Sequence, residues 1–116
     1  MPFRGIEEYL HDIVENIDAA RSFVRGRTLE QFKKDRLTHY AVLRALEIVS
    51  EATRHLTPEL KARYPDIDGR AIADAGNVYR HVYHDVDLNR VWAVATALVD
   101  PLYDAAKGEL ARLVSR

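Results

Sequence analysis

The densest group of chemically able side chains in this sequence is Asn77-Val78-Tyr79-Arg80-His81-Val82-Tyr83-His84-Asp85. On a helix, Asn77, Arg80, His81 and His84 fall near one face, and Tyr79 and Tyr83 form an i, i+4 pair. Histidine exchanges protons near neutral pH, and arginine stabilises phosphate charge. Such a group can assist attack of a 2′-hydroxyl on its adjacent phosphate, which is the chemistry of RNA cleavage. The plainer alternative is a polar helix end, with some of these side chains hydrogen-bonded inside a bundle. His81, His84 and Asp85 also have the spacing of a helical metal site. A second strong ligand pair and a His-Glu-x-x-His motif are both missing, so the expectation is no metal and no cofactor.

A second polar set, Arg44, Glu47, Glu51 and Arg54, follows spacings of three, four and three along another helix. It reads either as a solvated ladder of ion pairs or as a polar wall facing the histidine segment. A third group, Arg21, Arg25, Arg27, Lys33, Lys34 and Arg36, is basic but interrupted by Glu30 and Asp35. It reads as an attractor of RNA phosphates or, more plainly, as a solvated turn.

These groups need helices to position them. Ile6, Leu10, Ile13, Ile17 and Val24 recur at helical spacing and predict a first helix from about Arg4 to Val24, stopped by Gly26. Thr28 and Gln31 form a capping-box pair that opens a short helix containing Phe32. A long helix follows from about Arg36 to Leu56. Its two apolar stripes, Val42-Leu46-Val49-Thr53-Leu56 and Ala41-Ala45-Ile48-Ala52, imply burial on more than one side, in a bundle or at an oligomer interface.

Thr57-Pro58 starts another short helix, which Tyr64-Pro65 ends. Asp66 to Gly69 is a turn, and a helix from about Arg70 to His84 carries the histidine segment, with Gly76 in its interior. Asp87 caps the last helix, Leu88 towards Val114, which Pro101 should kink or divide. No alternating strand pattern occurs. The fold class is all-α: one domain, residues 1–116, forming an antiparallel bundle of about four main helices.

Composition narrows the function classes. The 116 residues include 17 basic and 18 acidic side chains, so a strongly basic nucleic-acid footprint is absent. Cysteine is absent, which removes disulfides, thiolate nucleophiles and thiolate metal sites. No apolar run approaches the roughly 18 residues of a membrane span, and the N-terminus lacks a signal-peptide core. The expectation is a soluble protein of the reducing cytoplasm.

Four blocks, in this order and spacing, resemble the HepT-like family of the HEPN superfamily. They are Tyr9 to Ile13, Ala41 to Ala52, Leu60 to Ile67, and His81 to Asp87 with Val91-Trp92. The resemblance implies a HEPN bundle that forms a homodimer. It also implies a metal-independent ribonuclease acting as the toxin of a toxin–antitoxin pair. The implied partner is a minimal, MntA-like nucleotidyltransferase that can attach AMP to the motif tyrosine. The family motif is arginine, four residues, histidine, one residue, tyrosine. His81 and Tyr83 fill its last two named positions, and Asn77 matches an asparagine often found directly after the arginine.

The arginine position itself is Gly76, which removes the cation expected at the scissile phosphate. Arg80 is a replacement charge, although adjacent helical residues diverge by about 100°. On this resemblance, His81 is the general base or acid, Arg80 the phosphate contact, Asn77 a positioning group, and Tyr83 a modification site or substrate contact. Arg44, Glu47 and Glu51 are supporting residues. The rival readings are an interaction module that kept the dimer and antitoxin surfaces but lost hydrolysis, which Gly76 favours, and a metal-binding bundle.

Overall fold

A computed structural model describes residues 5–77 and 87–115, with residues 74–77 described by backbone alone. Among the described residues the regular elements are all helical. In chain order they are α1 (Ile6–Val24), α2 (Leu29–Lys34), α3 (Arg36–Arg54), α4 (Pro58–Ala62), α5 (Gly69–Asn77), α6 (Leu88–Ala93), a π-helical segment (Val94–Leu98) and α7 (Asp100–Val114).

The helix ends follow from local chemistry. Gly26 adopts φ +75°, a left-handed conformation that glycine reaches without a Cβ penalty, and the chain turns there after α1. The capping box forms as expected: Gln31 N donates to Thr28 Oγ1 at 3.1 Å, and Thr28 N donates to Gln31 Oε1 at 2.9 Å. Asp35 both ends α2 and caps α3, accepting from Thr38 N at 3.3 Å and Thr38 Oγ1 at 2.7 Å. The α3 helix closes two residues before the expected Leu56, because His55 N and Leu56 N bond back to Ala52 O and Thr53 O in a tighter last turn. Thr57 caps α4 through Leu60 N, with Pro58 in the first turn.

The last helix divides, as Pro101 requires, but the irregularity lies just upstream of the proline. Proline lacks an N–H, and its ring crowds the carbonyl four residues back, which here is Ala97. The chain widens over Val94–Leu98, and Val99 N reaches Val94 O at 3.1 Å, five residues back.

The core is one cluster centred on α3. Leu10, Ile13 and Ile17 of α1, Leu43, Leu46 and Val49 of α3, Ile72 of α5, Val91 of α6 and Leu102 of α7 are buried in it. The main contacts join α1 to α3, α3 to α5, and α1 to α7. Both apolar stripes of α3 are therefore largely covered within one chain. Val42, Ala45, Leu46, Val49, Ala52 and Leu56 are buried, while Ala41, Ile48 and Thr53 are half-buried. No helix among the described residues is long and apolar enough to cross a membrane.

Candidate functional site

Two packed helices flank the histidine segment in the chain. On one side α5 lies against α3 and the π-helical segment, anchored by the buried Ala71 and Ile72. Asp68 starts this helix by accepting from Ala71 N at 3.0 Å, and Gly76 and Asn77 form its last described turn. On the other side Asp87 caps α6, accepting from Asn89 N at 3.1 Å and Arg90 N at 3.3 Å. Val91 is buried, and the Trp92 ring meets Phe32 with centroids 5.2 Å apart, which ties α6 to α2. Arg80, His81, Tyr83, His84 and Asp85 lie outside the described residues, as does the further course of the helix expected to reach His84.

The polar set on α3 is an ion-pair ladder along the α1–α3 groove. Arg44 pairs with Glu47. Glu51 accepts from Arg54 at 2.5 Å and stands 3.4 Å from His55 Nε2. The Arg54 guanidinium leads the groups that hold the Glu51 carboxyl below its ordinary range. Tyr9 stacks flat on His55, with centroids 4.2 Å apart and planes within 3°. Tyr9, Asp12, Arg44, Glu47 and Glu51 enclose a small cleft between α1 and α3. The structure thus brings Arg44, Glu47 and Glu51 together with two residues of the family-like Tyr9–Ile13 block.

The basic cluster is partly consumed by structure. Arg21 donates to Asp100 at 2.5 Å and sits 4.2 Å over the Tyr103 ring, and Arg27 pairs with Asp35 at 3.0 Å. These contacts tie α1 to α7 and pin the turn before α3.

Sequence reasoning missed two buried ionisable groups. Glu109 on α7 is 6% exposed and accepts from Tyr64 Oη at 2.7 Å, Arg63 Nη2 at 3.0 Å and Arg112 Nη1 at 3.1 Å. Burial alone would raise its pKa. The Tyr64 and Arg63 hydrogen bonds and the Arg112 charge outweigh that and hold it below the ordinary value. His39 is buried beside Phe32, and burial, aided by the Arg36 charge against the opposing Asp35, lowers its pKa. The only local signal for either group was a polar residue at an apolar helical position.

The sequence pattern of the HepT-like ribonucleases matches residues 13–108, spanning α1 to α7. The chain belongs to the HepT-like ribonuclease family. It is 36% identical over 89 residues to the "Probable ribonuclease HepT" of Thermococcus cleftensis, covering 77% of this chain and 81% of that protein. It is 33% identical over 95 residues to a protein of Methanocaldococcus jannaschii named "Putative RNase MJ1216", covering 82% and 78%. No solved structure matches. All four blocks that carry the HepT-like resemblance overlap the matched stretch, and the Arg63-Tyr64-Glu109 clamp holds one of them, Leu60 to Ile67, against α7.

Proposed function

We propose that this HepT-like chain is a metal-independent endoribonuclease, working as the toxin of a toxin–antitoxin pair in the cytoplasm. The observation that carries the reading is the family match over residues 13–108, which contains the whole Asn77–Asp85 segment between the ends of α5 and α6. In this reading His81 takes the proton of a ribose 2′-hydroxyl. The 2′-oxygen attacks the adjacent phosphorus, and the 5′-oxygen leaves and collects a proton. Arg80 supplies the charge-assisted contact to the phosphate oxygens in place of the arginine that Gly76 displaces. Asn77 positions the phosphate from the end of α5. The α3 ladder of Arg44, Glu47 and Glu51 supports the site from the α1–α3 groove.

The proposal extends to partners. Tyr83 contacts substrate or accepts AMP from an MntA-like nucleotidyltransferase antitoxin. An added phosphodiester would place negative charge two residues from His81 and repel RNA. The functional unit is a homodimer. The two stripes of α3 no longer argue for it, since the chain covers them itself. What supports it is the family together with Leu37 and Tyr40, which stand 80% and 44% exposed one turn apart on α3.

The second reading is an interaction module without hydrolysis, favoured by Gly76. Assay of the purified protein on RNA, beside His81→Ala and with and without chelator, separates the two. Chelator-resistant cleavage lost in His81→Ala is the expected result. A folded wild-type protein that leaves RNA intact supports the interaction module.

A further inference from the structure

The turn from α1 into α3 gathers positive charge that the fold leaves unused. Residues 25–36 hold the cations Arg25, Arg27, Lys33, Lys34 and Arg36 against Glu30 and Asp35, on a chain whose formal net charge is −1. Arg27 is a staple. Its Nε donates to Phe23 O at 3.1 Å and its Nη1 to Asp35 Oδ2 at 3.0 Å, which draws the end of α1 onto the junction of α2 and α3. Asp35 is occupied by that pair and by Thr38. Arg25, Lys33, Lys34 and Arg36 are exposed and make no side-chain hydrogen bond or ion pair among the described residues. Arg44, Arg54, Arg63 and Arg112, by contrast, are each paired with a carboxylate. Glu30 stands three and four residues before Lys33 and Lys34, yet pairs with neither.

The base beneath these cations is firm. Phe32, next to Lys33, is fully buried, and its ring meets His39 of α3 and Trp92 of α6 with centroids 6.0 and 5.2 Å apart. That packing and the Arg27 staple fix the backbone that carries Lys33, Lys34 and Arg36. We infer that this turn is a docking surface for the phosphate backbone of a single RNA strand, apart in the chain from the histidine segment. Like charges held together without counter-charges repel one another, and a polyanion relieves the repulsion. Several adjacent cations suit a strand, whose phosphates recur, better than a lone anion. Phe23, 38% exposed at the same end of α1, offers a ring face to a base, the usual companion of phosphate contacts on single strands.

The inference rests on the RNA-cleavage reading for its occupant. The test is fluorescence anisotropy of a labelled single-stranded oligoribonucleotide, 2′-O-methylated throughout so that no 2′-hydroxyl can attack, titrated with the full chain over a range of salt. On single strands log K falls with log salt by about 0.7 per phosphate contacted. Lys33→Gln/Lys34→Gln should bind about tenfold more weakly and flatten the salt slope by about 1.4; adding Arg25→Gln/Arg36→Gln should flatten it by about 2.8 in all. Lys61→Gln/Arg70→Gln removes the same charge as the first pair from exposed positions on α4 and α5, and should leave the slope unchanged. All six side chains are exposed, so melting midpoints should stay at the wild-type value.

A slope that the fourfold variant leaves unchanged overturns the inference, as does equal flattening by the control pair, which reduces the effect to general attraction. Displacement of the oligonucleotide by inorganic phosphate at matched ionic strength makes the turn an anion patch and overturns the strand. Equally tight binding of polyglutamate, or of phosphatidylglycerol vesicles, at the same charge concentration overturns RNA as the occupant. A wild type that cuts unmodified RNA, with KM unchanged in the fourfold variant, defeats the docking surface alone. Binding that depends on the four cations, in a protein that never cuts RNA, supports the docking surface and defeats the cleavage reading alone.

Discussion

At the scale of single residues, the chain separates groups that hold the fold from groups placed for chemistry. Glu109 belongs to the first kind. Its folded-state pKa is depressed, so its contribution is present above the unfolded value, about 4.3, and is lost as pH falls through the folded value. His39 is a buried histidine with a lowered pKa. The unfolded chain takes up its proton first, and stability drops as pH falls from about 6.5 towards the folded value. Urea unfolding across pH should therefore show two losses on acidification, one starting near neutrality and one below about pH 4.3. His39→Gln should flatten the first. Glu109→Ala should flatten the second and cost about 1–3 kcal/mol at pH 7, because it strands the Tyr64 hydroxyl.

On the proposed cleavage reading, Gly76 belongs to the second kind. A guanidinium restored at that position should raise RNA cleavage, since one preorganised donor at such a phosphate is worth about 10²–10³ in rate. The comparison is wild type, Gly76→Arg, Arg80→Ala and the double variant on one RNA, with melting midpoints measured in parallel. If Arg80 has taken over the role, wild type cleaves well, Arg80→Ala does not, and the restored arginine rescues it. No gain in a folded Gly76→Arg variant, on either background, contradicts this account of the departure.

At the scale of elements, helix boundaries were legible wherever the cause is local. Thr28 with Gln31, Thr57 with Pro58, and Asp87 each cap the helix that the sequence pattern assigned them. Gly26 is the sharpest case: Gly26→Ala should destabilise the protein by about 1–2 kcal/mol, read from the urea midpoint, because φ +75° brings Cβ against the following carbonyl. Pro101 announced an interruption, but its form was not readable. The conflict falls on the carbonyl four residues back, and the preceding turn absorbs it as a π-helical segment packed on α1 and α5. The Glu109 clamp was invisible because its partners Arg63 and Tyr64 lie 46 and 45 residues away, and pattern reading relates only near neighbours. Ser50 escaped for another reason: a serine within an apolar helix face gives no sign of whether its buried hydroxyl finds a hydrogen-bond partner.

At the scale of the whole molecule, the two stripes of α3 announced burial but not its agent. A stripe records that water is excluded, not which chain excludes it, and here α1, α2 and α5 pack against α3 within the same chain. The homodimer therefore becomes a separate prediction. Sedimentation equilibrium should give twice the 13.3 kDa chain mass, shifted towards monomer in Leu37→Asp/Tyr40→Asp. A concentration-independent monomer contradicts it.

The central claim is RNA cleavage through attack of a neighbouring 2′-hydroxyl assisted by His81, in the segment that follows α5 and precedes α6 in the chain. Its most direct test is mass analysis of the product ends released from a short RNA by the purified wild type and His81→Ala in the presence of chelator. The account predicts 2′,3′-cyclic phosphate ends from the wild type, none from His81→Ala, and none when a single 2′-deoxy residue replaces the nucleotide at the cleavage position. Ends carrying a 3′-hydroxyl and a 5′-phosphate, or cleavage that survives His81→Ala, would contradict it.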